Sequence, residues 1–291
     1  MLFDEAFLHR LLNSLVQQGE FIECKAGDAS AARGLLQHAG KANADDLERL
    51  GPDPGSEAWL EKLAAPYLEL TRAWLDHDLG EVEKLRLLDH YRILCALREG
   101  STGVTELNQK IERYLSRQGL APPLSGSFAG KPIMIVENSY PLQLFNGDTG
   151  ILLRADGGQL YACFEGAEGT PRRLPLSRLP LWESSYAISV HKSQGSEYRH
   201  AALVLPPADA LGSLSPLLTR ELIYTAITRA RDRLTLACSV DVFCAGLSRR
   251  VHRASGLAEK LGGAAVSLSG LVYPSKISSG PATIKSTLPK A

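Results

Sequence analysis

The chain has 291 residues, 44% of them apolar, enough to bury a sizeable core in one or two domains. Its 32 basic and 32 acidic side chains cancel, which excludes the global positive footprint of many nucleic-acid binders and leaves only a local patch for such contact. No apolar run reaches the ~20 residues of a membrane span, no charged-then-apolar leader follows Met1, and five scattered cysteines (Cys24, Cys95, Cys163, Cys238, Cys244) form no C-x-x-C pair and have no His at ligand spacing. A reducing, cytoplasmic setting without a structural metal is the expectation.

In chain order, Asp4 can cap a helix whose stripe of Phe7, Leu8, Leu11, Leu12, Leu15 and Val16 stops at Gly19. Residues 41–56, rich in Asp, Gly and Pro, read as a short polar helix and a loop. From Ser56 to about His90 helical spacing returns through Trp59, Leu60, Leu63, Tyr67, Leu70 and Trp74, with Pro66 placed to end or kink the first helix. Two Trp at that spacing read as core rather than as a base-stacking platform. Residues 1–87 are therefore expected to be a helical segment.

Residues 91–97 form a short apolar run typical of a buried strand, followed by a loop from Arg98 to Gly103 and a helix through Leu107, Ile111 and Leu115. Free N–H groups at that helix start could hold a phosphate. A tight strand-to-helix turn accounts for the pattern equally well. Past Pro122 and Pro123, residues 131–136, 150–154 and 159–164 read as short strands separated by the turns 146–148 and 156–158, a small β module over 128–183.

Two more apolar runs, 186–190 and 201–205, flank a polar loop, and 233–238 reads as a further strand. Between them Leu222, Ile223, Ala226, Ile227 and Ala230 recur at helical spacing, which puts Glu221, Thr225, Thr228 and Arg229 on the opposite face. A guanidinium on a packed helix can pair with two phosphate oxygens at once; the alternative is an Arg on a solvated face. Residues 241–261 read as a basic amphipathic helix with Arg249, Arg250, His252, Arg253 and Lys260, and 262–291, rich in Ser, Gly and Pro, as a disordered tail. The fold class expected is α/β, a doubly wound, mostly parallel sheet over 88–127 and 184–261, interrupted by the β module, with motif loop and helix lining the ligand-binding edge.

The run His191-Lys192-Ser193-Gln194-Gly195-Ser196-Glu197, followed by Tyr224-Thr225-Ala226-Ile227-Thr228-Arg229-Ala230-Arg231, resembles motifs V and VI of superfamily 1 helicases. Gln-Gly-Ser-Glu is most similar to the wording of the RecD family, the alpha subunit of exonuclease V. Leu107-Asn108, and Phe145-Asn146-Gly147-Asp148 with Gly150, are similar to the same family, so the resemblance covers roughly 88–261.

The resemblance implies a RecA-like second motor domain carrying an inserted SH3-like β-barrel, and a 5′ to 3′ DNA helicase of double-strand break repair and recombination. ATP with Mg2+ is its implied cofactor. Single-stranded DNA, an N-terminal motor domain and subunits similar to RecB and RecC are the implied partners. By the same resemblance Arg229 is the arginine finger, Gly195, Glu197 and Thr228 lie near the nucleotide, and His191, Lys192, Ser193 and Gln194 face the DNA backbone or link it to the nucleotide site. Tyr224 and Thr225 would support the finger, with Arg231 to one side of it.

An ATP-driven motor also needs a P-loop, G-x-x-x-x-G-K followed by Ser or Thr, and an acidic group for Mg2+. Neither pattern occurs in the chain, and its nearest approaches, 126–132 and 34–42, have the wrong spacing and Pro132 or Ala42 after the Lys. Two readings follow: the second half of a helicase motor, completed by an N-terminal domain, or a non-catalytic helicase relative that binds DNA or a partner without turnover.

Overall fold

A computed structural model describes residues 47–50, 56–123, 126–208 and 217–249. Their strands are β1 (Leu47–Leu50), β2 (Tyr91–Cys95), β3 (Lys131–Ile135), β4 (Thr149–Arg154), β5 (Leu160–Glu165), β6 (Pro171–Pro175), β7 (Trp182–Ser184), β8 (Ala187–Ser189), β9 (Tyr198–Val204) and β10 (Ala230–Ala237). The helices of at least one full turn are α1 (Glu57–Leu75), α2 (Glu81–Arg86), α3 (Val104–Arg117), α4 (Arg220–Ile227) and α5 (Val240–Ser248). Two sheets result, one in the order β1-β10-β9-β2-β8 and one in the order β6-β5-β4-β3-β7.

Every pairing in the first sheet is parallel. Its central strands are apolar on both faces because helices cover both, as all-parallel sheets require. Ile93 and Cys95 of β2 point into a core with Trp59, Leu63, Tyr67 and Trp74 of α1 and Leu107, Ile111 and Leu115 of α3. Leu94 points the other way, into a core with Leu222, Ile223 and Ala226 of α4 and Val242, Phe243 and Leu247 of α5. This period of two is the pleat itself.

Several expectations are corrected here. Residues 47–50, read as polar helix, form an edge strand whose backbone pairs from Leu47↔Leu234 to Leu50↔Ala237; the ladder overrides two charged residues in four. Helix α1 is capped by Ser56, which accepts from Trp59 N at 3.2 Å, and does not end at Pro66 but continues to Leu75. The ring removes one intrahelical bond, and burial of the apolar stripe on both sides of it holds the helix. Trp59 and Trp74 both lie in the core, Trp74 donating Nε1–H to Lys84 O at 3.0 Å. Helix α5 ends at Ser248, where the C-cap Arg249 is extended. The expected helix before Gly19, residues 250–261 and the tail 262–291 lie outside the described residues.

The second sheet is wholly antiparallel and packs its own core of Ile133, Ile135, Leu144, Leu152, Phe164 and Leu174. Its 145–148 turn is closed by Asp148 Oδ2, accepting from Phe145 N at 2.8 Å, and by Asn138 Oδ1, accepting from Asn146 N at 2.7 Å. Both places where the chain passes between the sheets are fixed by one buried polar network. Glu112 of α3 pairs with Lys131 Nζ at 2.9 Å, their side chains 8% and 6% exposed, and accepts from Ser184 Oγ at 2.5 Å. Asn108, one turn earlier, donates to Ser184 O and Ala187 O and accepts from Ala187 N. Arg92, 1% exposed, donates to Ser185 O and to Leu88 O. Lys131, the nearest thing to a P-loop lysine, is thus a buried structural cation.

Candidate functional site

The loop between β2 and α3 closes on itself. Val104 N donates to Leu97 O at 3.1 Å and Thr105 N to Arg98 O at 3.0 Å, so the first N–H groups of α3 are taken. A Cβ on Gly103 would meet the Glu99 carbonyl at 2.5 Å, so glycine is what lets the turn tighten. The tight-turn reading holds, and the phosphate reading of this helix start does not.

The passage from β8 to β9 is unusually short. Ser189, the end of β8, lies level with Cys95, which lies level with Val204, the end of β9. Tyr198 at the start of β9 pairs with Ala230 at the start of β10. Residues 190–197 must therefore run back from the carboxyl ends of the strands to their amino ends, where parallel connections ordinarily use a dozen residues or more. Val190 anchors this crossover in the α4-side core, and Ser193 is fully buried with its hydroxyl donating to Val190 O at 2.7 Å. Gly195 turns the chain at φ 91°, a left-handed conformation costly for any residue with a Cβ, and nothing lies within 4 Å of where that Cβ would be.

Helix α4 starts at the Thr219 cap and ends at Ile227 with Thr228 as C-cap. Arg229 therefore sits in the connection between helix and strand, and Arg231 lies on β10, not on a helix extended to 231. The ladder captures the chain at once: Tyr198 N donates to Arg229 O at 2.7 Å. The half-buried Arg229 donates Nε–H to Thr225 O at 3.2 Å, Nη1–H to Ser196 O at 2.9 Å and Nη2–H to Thr228 Oγ1 at 3.3 Å. Thr228 Oγ1 in turn donates to Thr225 O. Arg231 Nε pairs with Glu197 at 3.0 Å, and Arg199 Nε with Asp232 at 3.0 Å. Arg229, Thr228, Ser196 and Glu197 are thus gathered at one edge of the sheet, the amino ends of β9 and β10, rather than at the carboxyl ends where ligands ordinarily bind in such folds.

The chemistry of this cluster follows from the donor count. A guanidinium carries five N–H groups; three are spent on the protein, and one more remains on each of Nη1 and Nη2. That pair, held in a plane by three internal bonds, suits the oxygens of an anion arriving from outside. Among the described residues no three His, Cys, Asp or Glu side chains cluster as metal ligands.

The carboxyl-edge end of the crossover carries the rest. His191 and Gln194 are exposed. Lys192 Nζ is paired with Glu183 at 2.9 Å, and Arg98 Nη2 with the same carboxylate at 2.9 Å. Ser193, expected to face DNA, is inside the fold. Behind the cluster His200 is pushed down to about 4 by burial and by the Arg233 guanidinium, and burial raises Asp89 above its ordinary value despite Arg92 and Arg231. Burial also pushes the Cys163 thiol up to about 12. Arg98 and Glu183 were not singled out from the sequence; nothing in the local pattern of Trp182–Ser184 marks Glu183 as the partner of two cations.

Residues 184–237 match the model of the UvrD-like helicase C-terminal domain, the stretch that holds both motifs and the three strands they connect. Those residues belong to that class of helicase C-terminal domain. Within it the chain is RecD-like: it is 37% identical over 238 residues to the RecBCD enzyme subunit RecD of Mycobacterium tuberculosis, covering 81% of this chain and 39% of that subunit. It is also 31% identical over 173 residues to the ATP-dependent RecD2 DNA helicase of Deinococcus radiodurans, covering 58% of this chain and 23% of that helicase. The chain thus spans well under half the length of these relatives. A crystal structure of a Pif1 helicase from Bacteroides is similar at 13% identity and a TM-score of 0.35, covering 73% of this chain and 53% of that one.

Proposed function

We propose that this chain supplies the second, RecA-like motor domain of an ATP-dependent DNA helicase of the RecD type, moving 5′ to 3′ on single-stranded DNA in double-strand break repair and recombination. The antiparallel sheet is its SH3-like inserted barrel, and α1 and α2 are its helical preface. The observation that carries the reading is the crossover 190–197, one short segment that touches Arg229 at the amino edge of the sheet and presents Lys192 at the carboxyl edge. ATP with Mg2+, bound mainly by an N-terminal motor domain, supplies the phosphoryl group and its charge. This chain's part is to bring Arg229 to the γ-phosphate, where the outward Nη1 and Nη2 N–H groups cancel charge as it develops.

Thr225, Thr228 and Ser196 hold that fork in its plane, and the open space beside Gly195 lets the nucleotide approach. Glu197 sets the position of the crossover through Arg231. His191, Lys192 and Gln194 face the DNA backbone, while Ser193 keeps a locking role inside the crossover. Subunits similar to RecB and RecC complete the assembly. The test is ATP turnover by the chain alone and by the same chain joined to an N-terminal domain bearing a P-loop. Turnover stimulated by single-stranded DNA is expected only in the joined protein; its absence there would favour the non-catalytic reading.

A further inference from the structure

Three segments distant in sequence converge on one carboxylate at the carboxyl edge of the parallel sheet. Glu183, on β7 of the antiparallel sheet, takes Arg98 Nη2 on Oε2 and Lys192 Nζ on Oε1, each at 2.9 Å. Arg98 comes from the loop after β2 and Lys192 from the crossover. Arg98 is 59% exposed, whereas Glu183 is 22% and Lys192 23% exposed. Arg98 Nε also lies 3.8 Å from Glu99 Oε1, so two cations face two carboxylates and the cluster is neutral until one carboxylate lets go. The ammonium has two more N–H groups to offer and the guanidinium several more. The strand that carries Glu183 is itself fixed, since its last residue, Ser184, is bonded to Glu112 and Asn108 of α3.

Resting on the reading that the crossover lies along single-stranded DNA, we infer that Arg98 and Lys192 form a paired contact for neighbouring backbone phosphates, and that Glu183 is the counter-ion they give up when the phosphates arrive. Arg98 is then a positioning contact outside both motifs, and the antiparallel sheet acts on DNA affinity through Glu183. In the free protein the carboxylate keeps the two cations from repelling one another apart. On binding, each cation that meets a phosphate releases condensed counter-ions, so each contributes to the salt dependence of affinity.

The experiment is fluorescence-anisotropy titration of a labelled dT oligonucleotide with the whole chain, across a range of salt concentrations, for the parent and four variants of matched thermal melting. Arg98→Gln and Lys192→Gln should each reduce the slope of log affinity against log salt by about 0.7, and Arg98→Lys should leave it unchanged. Glu183→Gln should tighten binding about threefold at low salt, the effect of removing one negative charge roughly 6 Å from a phosphate in a water-like dielectric. Salt-independent binding by the parent, or none, would overturn the DNA-contact reading and this inference with it. A reduced slope in Lys192→Gln with an unchanged slope in Arg98→Gln would spare that reading and overturn the paired contact. Unchanged or weaker binding by Glu183→Gln would overturn the counter-ion role.

Discussion

Glu112→Gln should destabilise the chain by about 3 kcal/mol, and the geometry of the junction sets that figure. The carboxylate holds Lys131 Nζ at 2.9 Å in a place where both side chains are under a tenth exposed. Removing one partner of such a buried pair costs about 3–5 kcal/mol because the other charge stays buried. Lys131 keeps the Gly126 carbonyl at 2.8 Å and lies 5.3 Å from the Phe128 ring and 5.7 Å from the Trp182 ring, contacts that offset roughly 1 kcal/mol. The lower end of the range follows. With a urea slope of about 2–3 kcal/mol per molar the denaturation midpoint should fall by about 1 M at constant slope, read by tryptophan emission to which Trp182 contributes. Replacing both charges, Glu112→Leu with Lys131→Met, should recover much of the loss. A midpoint shift under about 0.2 M, or a double variant no more stable than Glu112→Leu alone, would show that the network is not a buried ion pair in solution.

Two further outcomes are expected. His200 is held at about 4 against its ordinary 6.5; a folded value below the unfolded one means stability is full above pH 6.5 and lost as pH falls toward 4. Of the full loss, on the order of 3 kcal/mol at about 1.4 kcal/mol per unit, about 2 kcal/mol falls between pH 7 and pH 5, and it should vanish in His200→Gln when urea midpoints at those two pH values are compared; equal pH dependence in both proteins would contradict the burial. Gly195→Ala should cost about 1–2 kcal/mol through backbone strain alone, since its Cβ meets nothing, and should weaken the coupling of ATP turnover to DNA in the joined protein; a neutral change in melting temperature would count against the left-handed turn.

The parallel sheet was legible because β2, β8 and the second halves of β9 and β10 are short, nearly continuous apolar runs, which strands buried on both faces require. Edge and boundary were harder. β1 carries Glu48 and Arg49 in four residues and is recognisable only from its partner. The α4–β10 boundary was placed too late because Ile227 and Ala230 satisfy the helical period, although Ala230 already pairs with Tyr198. The polar network at the junction of the two sheets left one trace: Asn108 and Glu112 continue the buried stripe of α3 beside Leu107, Ile111 and Leu115, and a polar side chain on a core face needs a buried partner. The site was half visible. Residue types brought Arg229 and the 190–197 segment forward, but their meeting at the amino edge depends on the shortness of the crossover, and the burial of Ser193 on its packing against α4.

ATP turnover by Arg229→Ala in the chain joined to a P-loop domain tests the central claim most directly. An arginine finger is typically worth about 10³ to 10⁵ in turnover, and it acts on charge that develops in the transition state, so kcat should fall by orders of magnitude while single-stranded DNA affinity stays within a few fold. Arg229→Lys should fail almost as far, because one ammonium does not reproduce the planar fork that Thr225, Thr228 and Ser196 hold. Full turnover in Arg229→Ala would contradict the account and reduce this cluster to a structural brace between the crossover and β10.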